Sequence, residues 1–165
     1  MSDTHNNINH SAFMEEAALL SLTNVQECKG GPFGAIIVNT DTQEIIGRAA
    51  NSVTTTNDPT AHAEVNVIRD ACTRLNTFDL SGHTIYTSCE PCPMCFGAIY
   101  WARLDKVYFA NTHTDAKNIN FDDSHIYDEI KKPPEERSLN FTQLSNDTAC
   151  NAFSLWKEAT GKVAY

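Results

Sequence analysis

His62 and Glu64 stand two residues apart in His62-Ala63-Glu64, and thirty positions after His62 comes Pro91-Cys92-Pro93-Met94-Cys95. One histidine and two cysteines are donors that zinc takes in a tetrahedral nitrogen and sulfur shell. Three protein ligands leave a fourth position for water, which marks a catalytic site rather than a structural one. Two thiolates balance the double charge of the ion, and a neutral imidazole adds none. Zinc lowers the pKa of its water toward about 7. A carboxylate beside that water, Glu64, can take its proton and return it to a ring nitrogen of a substrate. At an amidine-like carbon the sum is hydrolytic loss of ammonia. Taken singly, His62 reads as a surface histidine and Glu64 as a carboxylate favoured near a helix N-terminus. Cys89 offers an alternative count, because Cys89-x-x-Cys92 is a second pair. Ligation by Cys89 as well would close the shell and make the metal structural.

The elements that must position these residues follow from hydrophobic periodicity. Ser11 can cap a helix from about Ala12, with Phe13, Ala17, Leu20 and Val25 at helical spacing, and Gly30-Gly31-Pro32 ends it. Phe33 to Val38 is a nearly unbroken apolar run and reads as a buried central strand. A turn at residues 39–42 returns the chain as a second strand, Gln43 to Ala50, and Asn51 to Thr60 is a polar loop. Thr60 can cap a helix from about Ala61 to Leu75, whose expected buried stripe is Val65, Ile68, Cys72 and Leu75. That places His62 and Glu64 in its first turn. Thr84 to Thr87 is a third strand, and Pro93 suits the first turn of a helix capped by Cys92. Two helix N-termini therefore meet at the metal, and the one that carries Cys92 and Cys95 lowers their thiol pKa. Lys106 to Ala110 is a fourth strand. Asn111 to Arg137 is acidic and irregular, with a short helix at Ser124 to Lys131. Leu139 to Leu144 reads as a fifth strand and Asp147 to Ala159 as a last helix. Helices between strands imply an α/β layered sheet.

The chain of 165 residues suits one domain, with residues 1–10 a mobile tail bearing surface histidines His5 and His10, and 11–165 the domain. Twelve basic residues against 21 acidic ones give a net charge of −9, which argues against a phosphate backbone as partner. No apolar run reaches the roughly 20 residues of a membrane helix, and the first ten residues lack a signal-peptide pattern. A cytoplasmic, reducing setting follows, in which the six cysteines are thiols or ligands. Cys28, Cys72 and Cys150 read as small buried residues.

The pattern H-x-E followed by P-C-x-x-C is that of zinc deaminases acting on nucleobases. The chain resembles the cytidine-deaminase superfamily and, within it, the small zinc-dependent guanine deaminases. The likeness runs from Phe13 to Tyr165. It is carried by Gly31-Pro32-Phe33-Gly34-Ala35, Asn57-Asp58-Pro59-Thr60-Ala61-His62-Ala63-Glu64, Tyr86 to Cys95, Gly97 to Arg103, and Phe121-Asp122-Asp123-Ser124. It implies a three-layer α/β/α sandwich on a five-stranded mixed sheet, in order 2-1-3-4-5. It implies a zinc ion in each subunit on His62, Cys92 and Cys95, with Glu64 as the catalytic carboxylate. Asn51 would hydrogen-bond a purine, and Asp123 would accept from its N1–H and amine edge. Phe33 and Trp101 would wall the pocket and Tyr165 would close it. The partners implied are a small purine and a second copy of the chain. In that homodimer a C-terminal segment, residues 145–165, is exchanged between subunits. Guanosine, another aminopurine or an aminotriazine is the neighbouring substrate reading. A tRNA adenosine or cytosine deaminase shares the motif, and a structural zinc module is the reading of another class.

Overall fold

A computed structural model describes residues 8–165. It divides into two compact units, one ending at Asp123 and the other Ser124–Tyr165. The tail expected at residues 1–10 falls largely outside the described residues.

Helix α1 is His10–Gln26. It begins earlier than Ser11 predicts, because Asn9 is the cap and accepts from the Ala12 amide at 3.1 Å. Strands β1 (Gly34–Asn39) and β2 (Ile45–Ala50) form the expected hairpin. The polar loop after β2 holds one turn of helix, α2 (Val53–Thr56). Then come α3 (Ala63–Leu75), β3 (His83–Cys89), α4 (Pro93–Trp101), β4 (Lys106–Asn111) and α5 (His113–Asn118). The sheet has four strands in order β2-β1-β3-β4. β1 is antiparallel to both of its neighbours, and β3 and β4 are parallel.

Strand β1 is buried from Gly34 to Val38, and β3 is buried throughout. Side chains alternate faces along a strand, so each strand feeds two cores. Ala35, Ile37 and Ile85 pack with Ala63, Val67 and Ala71 of α3 and Ile99 of α4. Ile36, Val38 and Tyr86 pack with Ala17 of α1 on the other side. The first unit is therefore a three-layer α/β/α sandwich. Each fully buried Ile contributes about 1.5–3 kcal/mol.

The stripe of α3 differs from expectation. Val65 is buried as expected, but the face packed on the sheet is Ala63, Val67 and Ala71, whereas Leu75 is exposed and Ile68 and Cys72 only flank the core. Alanines let the helix axis approach the sheet, so close packing selects the smaller residues. A similar approach occurs at Gly34, where an added Cβ would lie 2.4 Å from the Ala17 carbonyl oxygen of α1.

The second unit contains α6 (Ser124–Lys131), a 3-10 turn at Pro134–Glu136 and α7 (Asp147–Glu158). Asn146 caps α7 by accepting from the Ala149 amide at 2.9 Å. Residues 139–144, expected as a fifth strand, form no ladder. Their apolar residues do not make a strand without a neighbour to supply hydrogen bonds. Cys28 and Cys150, expected to be buried, are exposed, and all six cysteines are unpaired.

Candidate active site

The C-terminal ends of β2, β3 and β4 share one rim with the start of β1, as the pairs Gly34↔Ala50, Ala35↔Thr87 and Cys89↔Asn111 require. Loops leave the sheet there, and ligands favour that rim in open α/β sheets. The first loop carries Asn51, which is buried. Its backbone N–H donates to the Phe33 carbonyl at 3.0 Å. Its Oδ1 accepts from the amides of Gly31 and Val53, both at 3.3 Å, which assigns the NH₂ end to other partners. Asn24 of α1 is also buried and donates to the carbonyls of Gly31 and Asn51, both at 2.9 Å. This second asparagine, which sequence reasoning missed, anchors the loop to α1.

Further along, Asp58 accepts from the Thr60 amide at 2.8 Å and its hydroxyl at 2.7 Å, making a tight turn before α3. The cap position of α3 is His62, not Thr60, and the cap position of α4 is Cys92 with Pro93 behind it. Both helix N-termini thus face one point. The Nδ1 of His62 lies 3.5 Å from the Sγ of Cys92 and 3.5 Å from that of Cys95. The three donor atoms are all within 4.8 Å of one another. In a tetrahedral zinc shell, Zn–N near 2.0 Å and Zn–S near 2.3 Å give nitrogen–sulfur edges of about 3.5 Å. The donor set fits that ion in type and spacing. Cys89 does not join it: its thiol is directed at the Thr112 carbonyl, 3.7 Å away, and burial pushes it up to about 11.

Glu64 is only 5% exposed. The Thr87 hydroxyl donates to its Oε1 at 3.3 Å, and the Cys95 thiol to its Oε2 at 3.5 Å. Burial pushes its carboxyl above the usual carboxylate range. The Cys95 thiol, hydrogen-bonded to Cys92, holds the Cys92 thiol well below the usual thiol range and is itself raised. The His62 ring is raised by its hydrogen bond with Cys92, and the nearby charges of Cys92, Glu64 and Asp123 add to this.

A cavity of about 430 Å³ opens over this cluster, in the size range of small-molecule sites. Phe33, Asn51, His62, Glu64, Cys92 and Asp123 all line it. Phe33 meets Phe121 edge to face, with ring centroids 5.0 Å apart. Trp101, expected as a wall, does not line the cavity. It ends α4, roughly 13 Å along the helix axis from Cys92, and is 67% exposed. Tyr165 lies in the second unit and is 73% exposed. Glu90 and His113 line the cavity and were not anticipated. His113 opens α5, and the signal for α5 was Thr112-x-x-Asp115. In this capping box the Thr112 backbone N–H donates to the Asp115 carboxylate at 2.8 Å.

Residues 7–111 match the cytidine and deoxycytidylate deaminase zinc-binding region, and the chain belongs to that family. Over 158 residues, covering 96% of this chain and 100% of the relative, it is 49% identical to the guanine deaminase of Bacillus subtilis (strain 168). It resembles an X-ray structure of guanine deaminase from Bacillus subtilis with a TM-score of 0.91 at 49% identity, covering 96% of this chain and 99% of that one. A structure of guanine deaminase from Nitrosomonas europaea matches with a TM-score of 0.66 at 30% identity, over 77% of this chain and 68% of that one. The tRNA-specific adenosine deaminase of Aquifex aeolicus (strain VF5) is 51% identical over 79 residues, 48% of this chain and 51% of the relative.

Proposed function

We propose that the protein is a guanine deaminase, converting guanine and water to xanthine and ammonia. The observation that carries this reading is the position of Asp123, a carboxylate lining the same cavity as Glu64 and the His62, Cys92 and Cys95 cluster. Guanine presents N1–H and the exocyclic amine as two adjacent donors, which a carboxylate matches with two acceptor oxygens. Adenine lacks that donor pair and leaves the carboxylate unpaired, at a cost of about 1–3 kcal/mol.

In this reading His62, Cys92 and Cys95 hold one zinc ion per subunit. When bound, the metal supplies Lewis acidity that makes a water nucleophilic near neutral pH. Glu64 accepts the proton of the attacking water and delivers it to a ring nitrogen of the purine. Its burial favours the protonated form it needs for the second step, and the Thr87 hydroxyl holds its Oε1 in place. Asn51 donates through its NH₂ group to the purine, since its Oδ1 is already taken by two backbone amides. Phe33 covers one face of the base. The remaining hydroxyl proton passes to the amine, which leaves as ammonia with its bonding pair, and the carbon keeps the oxygen as the oxo-base.

The working form in this proposal is a homodimer with residues 145–165 exchanged and Tyr165 closing the site. Supporting it, α7 leaves three large apolar side chains, Phe153, Leu155 and Trp156, exposed, and clustered exposed apolar residues mark interaction surfaces. Phe96, Tyr100 and Trp101 of α4 are likewise exposed, and Trp101 then belongs to a subunit contact rather than to this chain's own pocket.

The chemical step is tested with Glu64→Gln. This variant removes the ionisable group and keeps the shape. Ammonia release from guanine falls about 10²–10⁴-fold, while zinc content and melting temperature stay at wild-type values. Full activity in the variant refutes Glu64 as the proton carrier.

A further inference from the structure

We propose that His113 is a specificity-positioning residue. Its ring sets the orientation of the Asp123 carboxylate and ties it to the loop that carries the cysteines. The inference rests on the guanine reading above.

Glu90 lies between Cys89 and Pro91 on that loop, and its backbone N–H donates to the Asn111 carbonyl at 2.8 Å. Its carboxylate is held twice by one residue. Oε2 accepts from the His113 backbone N–H at 3.2 Å, and Oε1 lies 3.2 Å from His113 Nε2. Two contacts to one carboxylate fix both the position and the plane of the imidazole. The backbone beneath it is fixed as well, because Thr112 and Asp115 close the first turn of α5. The opposite ring nitrogen, Nδ1, lies 3.6 Å from Asp123 Oδ1. This is beyond a formed hydrogen bond and within ion-pair reach. Neighbouring Asp122 has another partner, the Lys117 ammonium at 3.0 Å.

Asp123 needs such a support. It sits outside any helix or strand, just before α6, and the terminal torsion of an aspartate is broad. Two adjacent donors on a base require both of its oxygens in one plane. A carboxylate oxygen has two lone pairs, so Oδ1 can face His113 and still accept from the substrate. The same ring engages Glu90, a second cavity-lining carboxylate that would otherwise offer the base a competing acceptor pair. His113 thereby selects which carboxylate reads the substrate.

The two ring nitrogens can be separated by substitution. An asparagine amide reaches about where Nδ1 lies, and a glutamine amide about where Nε2 lies. His113→Gln keeps the Glu90 side and loses the Asp123 side. The KM for guanine rises about tenfold, the usual loss for one charged contact, with kcat within about threefold. His113→Asn keeps the Asp123 side, and its KM stays within about threefold of wild type. His113→Ser, small and tolerated at a helix start, removes both ring contacts, so its KM rises at least as much as that of His113→Gln, and it serves if glutamine disturbs folding. Zinc content and melting temperature are recorded for each. An unchanged KM in both His113→Gln and His113→Ser, equal effects of Asn and Gln, or a loss confined to kcat overturns the proposal. Wild-type turnover is measured alongside. A wild type inactive on guanine refutes the guanine reading itself, whereas an active wild type with an unresponsive His113 refutes only this role.

Discussion

At the scale of residues, the proposed function divides the site into groups that perform the chemistry and groups that choose the substrate. His62, Glu64, Cys92 and Cys95 were legible in the sequence because ligand type and spacing together specify them, and the structure brings all four together. The selecting groups are harder to read. Asp123 alone is an acidic residue in an acidic stretch, and its meaning appears only beside Glu64 in one cavity. Its role predicts that Asp123→Asn, which turns one acceptor into a donor facing the donors of guanine, lowers kcat/KM for guanine by roughly 10–100-fold. Zinc content should be unchanged, and a variant with wild-type kcat/KM would remove Asp123 from recognition. Trp101 was expected as a pocket wall from the resemblance, and within this chain it does not line the cavity. Nine residues of helix carry it to the other end of α4. His113 and Asn24 were missed because their partners, Glu90 and Asn51, are distant in sequence and local patterning carries no sign of them.

At the scale of elements, the strands and main helices followed from apolar runs, and the differences lie at their ends and faces. Cap positions moved by a residue or two: Asn9 rather than Ser11 caps α1, and His62 rather than Thr60 starts α3. The face of α3 was only partly assigned: Val65 is buried as expected, but the alanines were passed over because alanine contributes little hydrophobicity yet is what close packing selects. The same closeness appears between α1 and β1. Gly34→Ala places a methyl 2.4 Å from the Ala17 carbonyl oxygen and 2.6 Å from the Ser21 nitrogen, both backbone atoms. It should destabilise the fold by about 1–3 kcal/mol, read as a lower urea midpoint, and a variant as stable as wild type would contradict that packing. In the second unit Glu129 joins α6 to the chain beyond it. Its Oε1 accepts from Lys132 at 2.6 Å, and its Oε2 accepts from the Ser138 amide at 2.6 Å. The Lys132 ammonium, with the Ser138 bonds, holds the Glu129 carboxyl down to about 2 from an ordinary 4.5. The folded pKa is the lower one, so the contribution is complete above pH 4.5 and is lost as pH falls through about 2. The Ser138 amide signal in NMR should shift with a midpoint near 2. In Glu129→Gln that transition should be absent, and an unchanged transition there would assign it to another group.

At the scale of the whole molecule, composition and fold restrict the substrate before any single contact does. A net charge of −9 disfavours a nucleic-acid backbone, even though half of the chain matches tRNA-specific deaminases. No helix among the described residues is long and apolar enough to cross a membrane. The layered α/β character was legible from alternating helices and strands. The sheet has four strands rather than five, because residues 139–144 lie in the second unit without a ladder. The motif shared by the family specifies the reaction, and in the proposed reading the base is chosen by residues outside it, above all Asn51 and Asp123. The central claim therefore concerns the base. Its most direct test is ammonia release by the zinc-loaded, full-length protein from guanine, guanosine, adenine, cytosine and cytidine, each measured as kcat/KM. Guanine should exceed adenine and cytosine by roughly 10–100-fold or more, the loss expected when a carboxylate acceptor pair is left without its two donors. Robust turnover of cytosine or adenine with none of guanine would contradict the account.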